Sequence, residues 1–369
     1  MIRLAAVIDS FETDFLSQYR DRLRPEHTRA LAAMKQCRTE DSPMMHVQCT
    51  GCAQQKRVPH SCGHRHCPHC QHHESQQWLE RQLKKQVPAE YFLLTFTLPA
   101  ELRRLAFAHQ EAIYDVLMRC AWETVQTFSQ NDKQLQGTPG AIAVLHTHTR
   151  KLDYHPHVHL VMPAAAVNRE KKQWRTRRRS KATGGYLFNH KALAKVFRAK
   201  LLSAIEAAGL RLPDRYPAAW VVDCKSVGTG EKALVYLGRY LYRGVIAEKD
   251  ILACADGEVS FRYRNASTGK LERRTLPGAQ FLWLVLQHVL PKGFRRARNF
   301  GFLHPNCKRL IALLHLLLKF APGQAMAWIK QRAPILCDCC GAVMVIVRTR
   351  IRPGFAGPPP VPIVTRGAQ

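Results

Sequence analysis

The sequence predicts an α+β protein built on a ferredoxin-like β-α-β-β-α-β domain, with a zinc-binding helical unit before it and a helical, cysteine-containing extension after it. Three observations predict this fold. Segments with strand and helix periodicity follow one another in that order after residue 90. Cysteines and histidines crowd residues 37–73, and an apolar helical run with a further cysteine cluster lies near the C-terminus. We therefore divide the chain into residues 1–85, 86–265 and 266–369.

The elements of the central domain follow from their periodicity. Tyr91–Leu98 reads as a strand that ends at Pro99. The strands at 141–148 and 155–162 flank a turn at 151–153, so we expect them to form a hairpin. The other predicted elements are a helix at 107–128, a helix at 190–207, a strand at 218–223 and a helix at 231–242. The last helix is appended to the β-α-β-β-α-β order.

The charge balance points to a polyanionic partner. The 369 residues contain 56 Lys and Arg against 27 Asp and Glu, a formal net charge of +29. An excess this large favours nucleic acid over a membrane surface, and no basic amphipathic helix argues otherwise. The apolar run Leu310–Leu318 is too short to span a bilayer, and residues 1–8 are too short for a signal-peptide core. We expect a cytoplasmic protein.

The cysteines near the N-terminus predict structural zinc. Two Cys-x-x-Cys pairs are separated by fourteen residues, close to the spacing at which four thiolates share one tetrahedral ion. These pairs are Cys49 with Cys52 and Cys67 with Cys70. A second ion or an exchange of ligands stays open, because further candidates lie in the same stretch: Cys37, His60, Cys62, His64, His66 and His69. Zinc would stabilise a segment too polar to form its own core.

The remaining cysteines and the C-terminal end give weaker signals. Cys337-Asp-Cys-Cys340 is a single knuckle, which we interpret as half a site or a remnant. Cys120 and Cys224 lie in or next to predicted elements and are typical of small buried apolar side chains. Residues 354–369 are rich in Pro and Gly and are expected to form a disordered tail.

The segment His155-Pro-His157-Val-His159 predicts a second, different metal site. Strand alternation sends the histidines to one face and Val158 to the other. Two imidazoles two residues apart can share one divalent ion, so His157 and His159 are the candidate ligands. The third ligand stays open among His146, His148, His155 and a carboxylate.

The segment Tyr236-Leu-Gly-Arg-Tyr240 places two tyrosines on one helix face, because residues four apart are neighbours on a helix. Arg239 and Arg243 beside them favour a surface that faces phosphate. A tyrosine hydroxyl has a pKa near ~10, so attack on a phosphodiester needs a metal ion to stabilise the developing charge. Tyr236 and Tyr240 are therefore candidate nucleophiles, and Mg²⁺ or Mn²⁺ the candidate catalytic ion.

A basic stretch lies between the predicted hairpin and the following helix. Trp174 within it can stack on a base while the surrounding arginines hold phosphates, although a solvated surface loop is an equal alternative. The candidate DNA-binding residues of this stretch are Trp174, Arg175, Arg177, Arg178 and Arg179.

Together these motifs resemble a known family, the rolling-circle insertion-sequence transposases of the HUH, two-tyrosine type. The resemblance covers most of the chain and rests on His60-Ser-Cys62 with Arg65-His-Cys-Pro-His-Cys70, Phe96-Thr-Leu-Pro99, the histidine strand, the tyrosine helix and His288-Val-Leu-Pro-Lys-Gly-Phe294. It implies a nucleoid-associated bacterial enzyme that cleaves and transfers single DNA strands through a 5′-phosphotyrosine. The expected partners are single-stranded element ends and target DNA.

Two alternatives belong to other classes. A replication initiator or conjugative relaxase would use the same histidine and tyrosine chemistry, and the N-terminal zinc unit favours the transposase. A zinc-dependent DNA-binding regulator would use the histidine strand and both tyrosines only for structure, and would bind DNA without cleaving it.

Overall fold

The computed structural model describes residues 2–52, 54–177, 187–242, 244–322 and 333–352. The N-terminal unit begins with two helices where apolar spacing predicts helix, and a 3-10 turn at Arg20–Arg22 separates them. Pro25 occupies the first position of the second helix, where its missing N–H costs nothing. The elements of this unit are α1 (Leu4–Tyr19), α2 (Pro25–Lys35), β1 (Met44–Cys49), β2 (Gln55–Pro59) and α3 (His72–Leu83).

The central part contains the predicted strands and helices in the predicted order. The elements are β3 (Tyr91–Thr97), α4 (Arg103–Ala108), α5 (Gln110–Asn131), β4 (Thr138–His148), β5 (Tyr154–Pro163), β6 (Ala165–Asn168), β7 (Gln173–Thr176), α6 (His190–Ala207), β8 (Val222–Ser226) and α7 (Glu231–Tyr242). The helices predicted at 190–207 and 231–242 have the predicted bounds. The strand predicted at 218–223 begins later, because its pairing with β3 runs only from Val222 to Ser226.

The central sheet has the order β7-β6-β4-β5-β3-β8, and its neighbouring strands are antiparallel. Side chains alternate between its two faces. One face packs against α5 and α6 through residues such as Leu94, Leu145 and Leu160. The opposite face carries Val144 and Val161 and packs against α3 and α7. The histidines of β4 and β5 share this second face.

The basic stretch after the hairpin is not the predicted loop. It contains β7, which pairs with β6 immediately before it, from Ala165↔Thr176 to Asn168↔Gln173. This pairing satisfies the backbone groups of a segment rich in charged side chains. Arg178 and Arg179 lie outside the described residues.

The C-terminal third is not purely helical, which corrects the predicted helical extension. Its elements are β9 (Ile251–Ala255), β10 (Glu258–Arg264), β11 (Leu271–Pro277), α8 (Gly278–Leu286), β12 (Ala297–Gly301), α9 (Lys308–Leu317), β13 (Ile335–Leu336) and β14 (Val343–Ile351). The predicted boundary at 265/266 falls between β10 and β11, which pair along their whole length. β12 pairs with β4 of the central sheet, and β14 pairs with β1 of the N-terminal unit. Local periodicity cannot reveal pairing partners so far apart in sequence.

The N-terminal helices pack against α8, which packs in turn on the sheet of β9, β10 and β11. Phe11 and Phe15 of α1 share a buried cluster with Phe261 of β10 and Phe281 of α8. Glu248, which is buried, accepts a hydrogen bond from the Leu4 N–H at the start of α1 (2.8 Å). The first and last thirds of the chain are thus held together. Among the described residues, no helix combines the length and apolar character that crossing a bilayer requires.

Candidate active site on the histidine face

Three imidazoles meet on one face of the central sheet. His146 of β4 lies opposite His157 of β5, and His159 follows two residues later on the same face. Each contributes a ring nitrogen, and these atoms lie within 4.8 Å of one another. The ring centroid of His146 is 4.2 Å from that of His159 and 5.1 Å from that of His157. Antiparallel pairing has therefore added a ligand from β4 to the two that one strand can supply.

The hydrogen bonds around these rings leave nitrogen lone pairs for a cation. His157 Nδ1–H donates to the carbonyl oxygen of His155 (2.7 Å), so its Nε2 carries the lone pair. The Thr95 hydroxyl hydrogen-bonds His159 Nδ1 (3.1 Å). Nε2 of His146 is buried and has no hydrogen-bond partner among the described residues. An orphaned buried nitrogen is costly, and coordination of a metal ion would satisfy it.

Burial keeps these histidines neutral, which is the form that binds metal. It lowers the pKa of His157 to about 3 and that of His159 to about 4. The pKa of His146 falls well below its ordinary value, through burial first and through the neighbouring histidines second. Three neutral imidazole nitrogens form a donor set that fits a divalent metal ion.

The structure separates the candidates for the third ligand. His155 Nδ1 accepts a hydrogen bond from the Arg103 guanidinium (2.6 Å). His148 Nδ1–H donates to the Thr149 carbonyl (3.0 Å). Neither joins the cluster, and no carboxylate of the described ranges joins it either. His146 is the residue that completes the group.

Tyr236 lies at the open side of the histidine cluster. Its ring centroid is 6.1 Å from that of His159 and 6.2 Å from that of His146. The side chain is 49% exposed, which is unusual for a large residue on a helix that packs on a sheet. Partial burial raises the pKa of its hydroxyl, and nearby Arg150 opposes that rise. Tyr236 therefore combines access from solvent with closeness to the imidazoles.

Tyr240, one turn later on α7, lies in a different environment. Its ring stacks on His146 with a centroid distance of 3.2 Å and an interplanar angle of 6°, and also on His148 at 5.0 Å. The Arg296 guanidinium lies over the Tyr240 ring, 4.6 Å from its centroid. The Thr147 N–H donates to its hydroxyl oxygen (3.3 Å). Burial raises the pKa of this hydroxyl, so Tyr240 is held inside the site.

The N-terminal unit supports the helix that carries both tyrosines. A Cβ atom at Gly238 would lie 3.2 Å from the ring of Trp78, so the glycine lets α3 approach α7 closely. The Ser75 hydroxyl donates to the Gly238 carbonyl (3.1 Å). The position of the tyrosines thus depends on a domain that lies more than a hundred residues earlier in the chain.

A groove of about 410 Å³ opens beside Tyr236. Basic and aromatic residues line it together with both tyrosines: Arg150, Arg239, Phe261, Arg262, Tyr263 and Arg264. Arg239 is a predicted DNA-binding residue, and sequence reasoning missed the other arginines. The alternation Arg262-Tyr-Arg264 on one strand is the signal that could have revealed them. Asp250 at the groove wall forms an ion pair with Arg262 (3.0 Å).

The structure does not bring the predicted Trp174 stretch to this groove. β6 pairs with Thr138 and Pro139 at the start of β4, whereas His146 lies near its end, roughly 25 Å away at the rise of a strand. Trp174 is half-buried against Phe302, with ring centroids 5.4 Å apart, and is not the exposed ring that base stacking needs. Arg175 donates to Gln136 (2.6 Å), and Arg177 forms an ion pair with Asp132. Arg243 lies outside the described residues.

Four thiols of the N-terminal unit form a separate cluster. Their sulfurs lie within 4.8 Å of one another, and Cys70 Sγ is 3.5 Å from both Cys37 Sγ and Cys62 Sγ. The fourth member is Cys67. The loop docks on the segment after α8, because Arg65 donates to the Phe294 carbonyl (3.0 Å) and the Leu290 N–H donates to His66 (3.2 Å). The histidines of this stretch do not join the thiols.

The structure corrects the predicted grouping of the two Cys-x-x-Cys pairs. Cys49 and Cys52 do not lie with Cys67 and Cys70 but with two cysteines of the C-terminal knuckle, Cys337 and Cys340. The hairpin of β1 and β2 holds the first pair at its turn, where β14 pairs with β1. The missing partners of the first pair thus come from the other end of the chain, which spacing within 49–70 cannot reveal.

Comparison with known families gives two matches. Residues 7–98 match the family described as "Transposase zinc-binding domain", which includes the first thiol cluster and its loop. Residues 140–310 match the family described as "Putative transposase", which includes His146, the histidine strand and both tyrosines.

Two relatives are similar over most of their length. The "Putative transposase y4qJ" of Sinorhizobium fredii is 31% identical over 79% of this chain and 79% of its own length. The "Transposase for insertion sequence element IS801" of Pseudomonas savastanoi pv. phaseolicola is 29% identical over 88% of this chain and 84% of its own.

Among solved structures, the conjugative relaxase TrwC in complex with origin DNA is similar to a part of the fold. One such structure has a TM-score of 0.27 and 20% identity, and covers 35% of this chain. A metal-bound structure has a TM-score of 0.28, 20% identity and 37% coverage. The match spans about half of each relaxase chain, 48% and 49%.

Proposed function

This chain belongs to the family of insertion-sequence transposases that carry a transposase zinc-binding domain, and we propose that it cleaves and transfers DNA strands through a 5′-phosphotyrosine in rolling-circle transposition. One observation carries the proposal. The half-exposed hydroxyl-bearing ring of Tyr236 lies about 6 Å from two of three neutral imidazoles whose nitrogens converge. This is the arrangement that a nucleophile beside a cation site requires.

His146, His157 and His159 would hold the catalytic cation, Mg²⁺ or Mn²⁺. When bound, it would polarise the scissile phosphate and offset the negative charge of the transition state. The His157 Nδ1–H bond to the His155 carbonyl and the Thr95 bond to His159 hold two of the rings in the orientation that presents their other nitrogen.

Tyr236 is the nucleophile of the first cleavage. Its hydroxyl oxygen bonds to phosphorus while the bond from phosphorus to the 3′ oxygen of the preceding nucleotide breaks. The tyrosine proton is lost, and the leaving 3′ oxygen gains one, so the products are a 5′-phosphotyrosine and a free 3′ hydroxyl. Because the covalent link conserves the ester bond, the 3′ hydroxyl of another strand can displace the tyrosine by the reverse reaction without ATP.

Tyr240 is the nucleophile that attacks the second DNA strand. To react, its ring must leave the stack on His146 and the hydrogen bond from the Thr147 N–H. Two tyrosines in unlike environments would then act in sequence, the accessible one first.

The groove beside Tyr236 binds single-stranded DNA of element ends and of the target. Arg150 and Arg239 are exposed there and can hold phosphates, and Tyr263 can stack on a base.

Zn²⁺ bound by Cys37, Cys62, Cys67 and Cys70 would order the loop that docks near Phe294. The order β4-β5-β3-β8 supports the ferredoxin-like HUH arrangement. A nucleoid-associated location in the bacterial cytoplasm stays a prediction from sequence.

The test is a search for the covalent intermediate. The protein is incubated with labelled single-stranded oligonucleotides that carry the element ends, with Mg²⁺ or Mn²⁺, and adducts are resolved on a denaturing gel. We expect an adduct whose label maps by mass spectrometry to Tyr236. Binding of the same oligonucleotides without any adduct would support the DNA-binding regulator and reject the nuclease.

A further inference from the structure

The knuckle near the C-terminus supplies half of a second four-thiol cluster. Cys337 and Cys340 meet Cys49 and Cys52, and all four sulfurs lie within 4.8 Å of one another. Cys49 Sγ is 3.4 Å from Cys340 Sγ, and Cys52 Sγ is 3.7 Å from Cys337 Sγ. A disulfide requires about 2.05 Å, whereas tetrahedral zinc with a Zn–S distance of about 2.3 Å separates its sulfurs by about 3.8 Å. The spacing is that of a metal site.

The backbone around these cysteines is shaped like two zinc knuckles. The N–H groups of Gly51 and Cys52 donate to Cys49 Sγ at 3.3 and 3.4 Å, which stabilises a thiolate. Gly341 turns the second knuckle with a φ of +70°, a conformation that favours glycine. The Cys337 N–H donates to the Ala342 carbonyl (2.8 Å) and thereby closes this turn. Each knuckle offers its first and fourth residue.

The surrounding structure needs a further source of stability. Among the described residues, the buried core of this region consists of Met45, Val47, Cys49, Cys337 and Met344, and three partly buried side chains pack against it, Val58, Ile335 and Ala342. Leu336, Val345 and Ile346 on the C-terminal strands are each about half exposed. Such a small core does not hold a terminal segment firmly, and metal ligation typically supplies the missing free energy in modules of this size.

We propose that Cys49, Cys52, Cys337 and Cys340 bind a second structural Zn²⁺, which fastens the C-terminal strands to the N-terminal zinc-binding domain. Cys337 and Cys340 lie outside both family-matched ranges, 7–98 and 140–310. The proposal does not depend on the proposed function, because zinc binding and strand pairing are measured without DNA. Two other contacts also hold the C-terminal strands against the hairpin of β1 and β2. Lys56 and Asp338 form an ion pair (2.6 Å), and the Thr50 N–H donates to the Val343 carbonyl (3.1 Å).

The first test uses the unmodified protein and the reactivity of its thiols. Cys52, Cys339 and Cys340 are all exposed, so accessibility alone predicts that a maleimide alkylates them at similar rates. A zinc site predicts that Cys52 and Cys340 react at least about tenfold more slowly than Cys339, because the metal-bound thiolate is withheld from the reagent. Addition of a strong chelator should abolish the difference. Equal rates for the three cysteines before chelation would overturn the proposal.

The second test counts metal. Native mass spectrometry of the full chain should show that the Cys337→Ser/Cys340→Ser variant holds one Zn²⁺ fewer than the wild type. Cys339→Ser is the matched control within the same turn and should keep the wild-type count. Cys67→Ser should lose a different Zn²⁺, that of the first cluster. An unchanged zinc count in the double variant, or iron in place of zinc in the wild type, would contradict the proposal.

The expected structural consequence is release of the C-terminal strands. In the double variant, hydrogen exchange should accelerate over 335–351 and over β1, and the catalytic helix α7 should keep wild-type protection. Hydrogen exchange is measured without DNA, so its result is independent of DNA cleavage. The second zinc can be confirmed in a protein that does not cleave DNA, and it can be rejected in one that does.

Discussion

The two tyrosines of helix α7 differ more than their shared residue type suggests. Tyr236 is 49% exposed and faces the open side of the histidine cluster. Tyr240, one turn later, lies under the Arg296 guanidinium, stacked on His146 with its hydroxyl held by the Thr147 N–H. Sequence spacing makes the two tyrosines equivalent, and packing makes them different. The difference teaches that one helix can present an accessible hydroxyl and a restrained one to the same histidine cluster.

The largest expected effect tests the role of the exposed tyrosine, Tyr236. Tyr236→Phe should lower the rate of adduct formation on single-stranded element ends by at least about 10³-fold, because it removes the attacking oxygen. The rate is followed on denaturing gels with Mn²⁺. Binding measured by fluorescence anisotropy should stay within about twofold of wild type, since the ring is kept. An adduct rate near that of the wild type would show that another residue is the nucleophile of the first cleavage.

The next effect tests the cation that we propose at the histidine cluster. His146→Ala should lower cleavage by about 10²- to 10³-fold and weaken the apparent affinity for Mn²⁺, because it removes a ligand that completes the cluster. The measurement is a Mn²⁺ titration of the cleavage rate. His155→Ala is the matched control, since His155 lies on the same strand but hydrogen-bonds Arg103 instead. Equal losses in both variants would argue against the assignment of His146.

A smaller effect on the first cleavage is expected from a change at the restrained tyrosine, Tyr240. Tyr240→Phe should lower first-strand cleavage by less than about tenfold but reduce strand transfer by more than about 10²-fold, because only the second reaction uses its hydroxyl. The variant should also lose about 1–3 kcal/mol of unfolding free energy, since the buried Thr147 N–H loses its acceptor. Cleavage and transfer are scored in the same reaction with a second labelled strand. Normal transfer would make Tyr240 a structural residue only.

The smallest expected effect concerns the groove between the two tyrosines and β10. Arg150→Gln or Arg239→Gln should weaken single-strand binding a few-fold and reduce the salt slope of log K by about 0.7 for each lost phosphate contact. Anisotropy titrations across salt concentrations give the slope. Arg175→Gln is the control, because Arg175 lies at the far end of the sheet. A larger loss for Arg175 would restore the DNA-binding role that the sequence predicts for that stretch.

Much of the site is accessible to sequence reasoning because its signals are local. His157 and His159 share a face because strands alternate, and Tyr236 and Tyr240 share one because helices repeat every 3.6 residues. Arg262 and Tyr263 were missed because a groove forms only when β10 lies beside α7. The partial burial of Trp174 was not predicted, because the composition of its stretch conceals the pairing of β6 with β7. Its role in DNA binding stays a prediction.

The sequence by itself determined the chemistry that this chain can offer: its basic charge, its thiol pairs, its alternating histidines and its tyrosine helix, all of which depend on composition or short-range periodicity. Only the tertiary structure decided the grouping. It brought His146, one of four candidates, next to His157 and His159, divided eight cysteines into two clusters and gave the two tyrosines unlike surroundings. The physical reason is that pairing of β4 with β5, β1 with β14 and α3 with α7 joins residues whose separation in sequence carries no periodic signal.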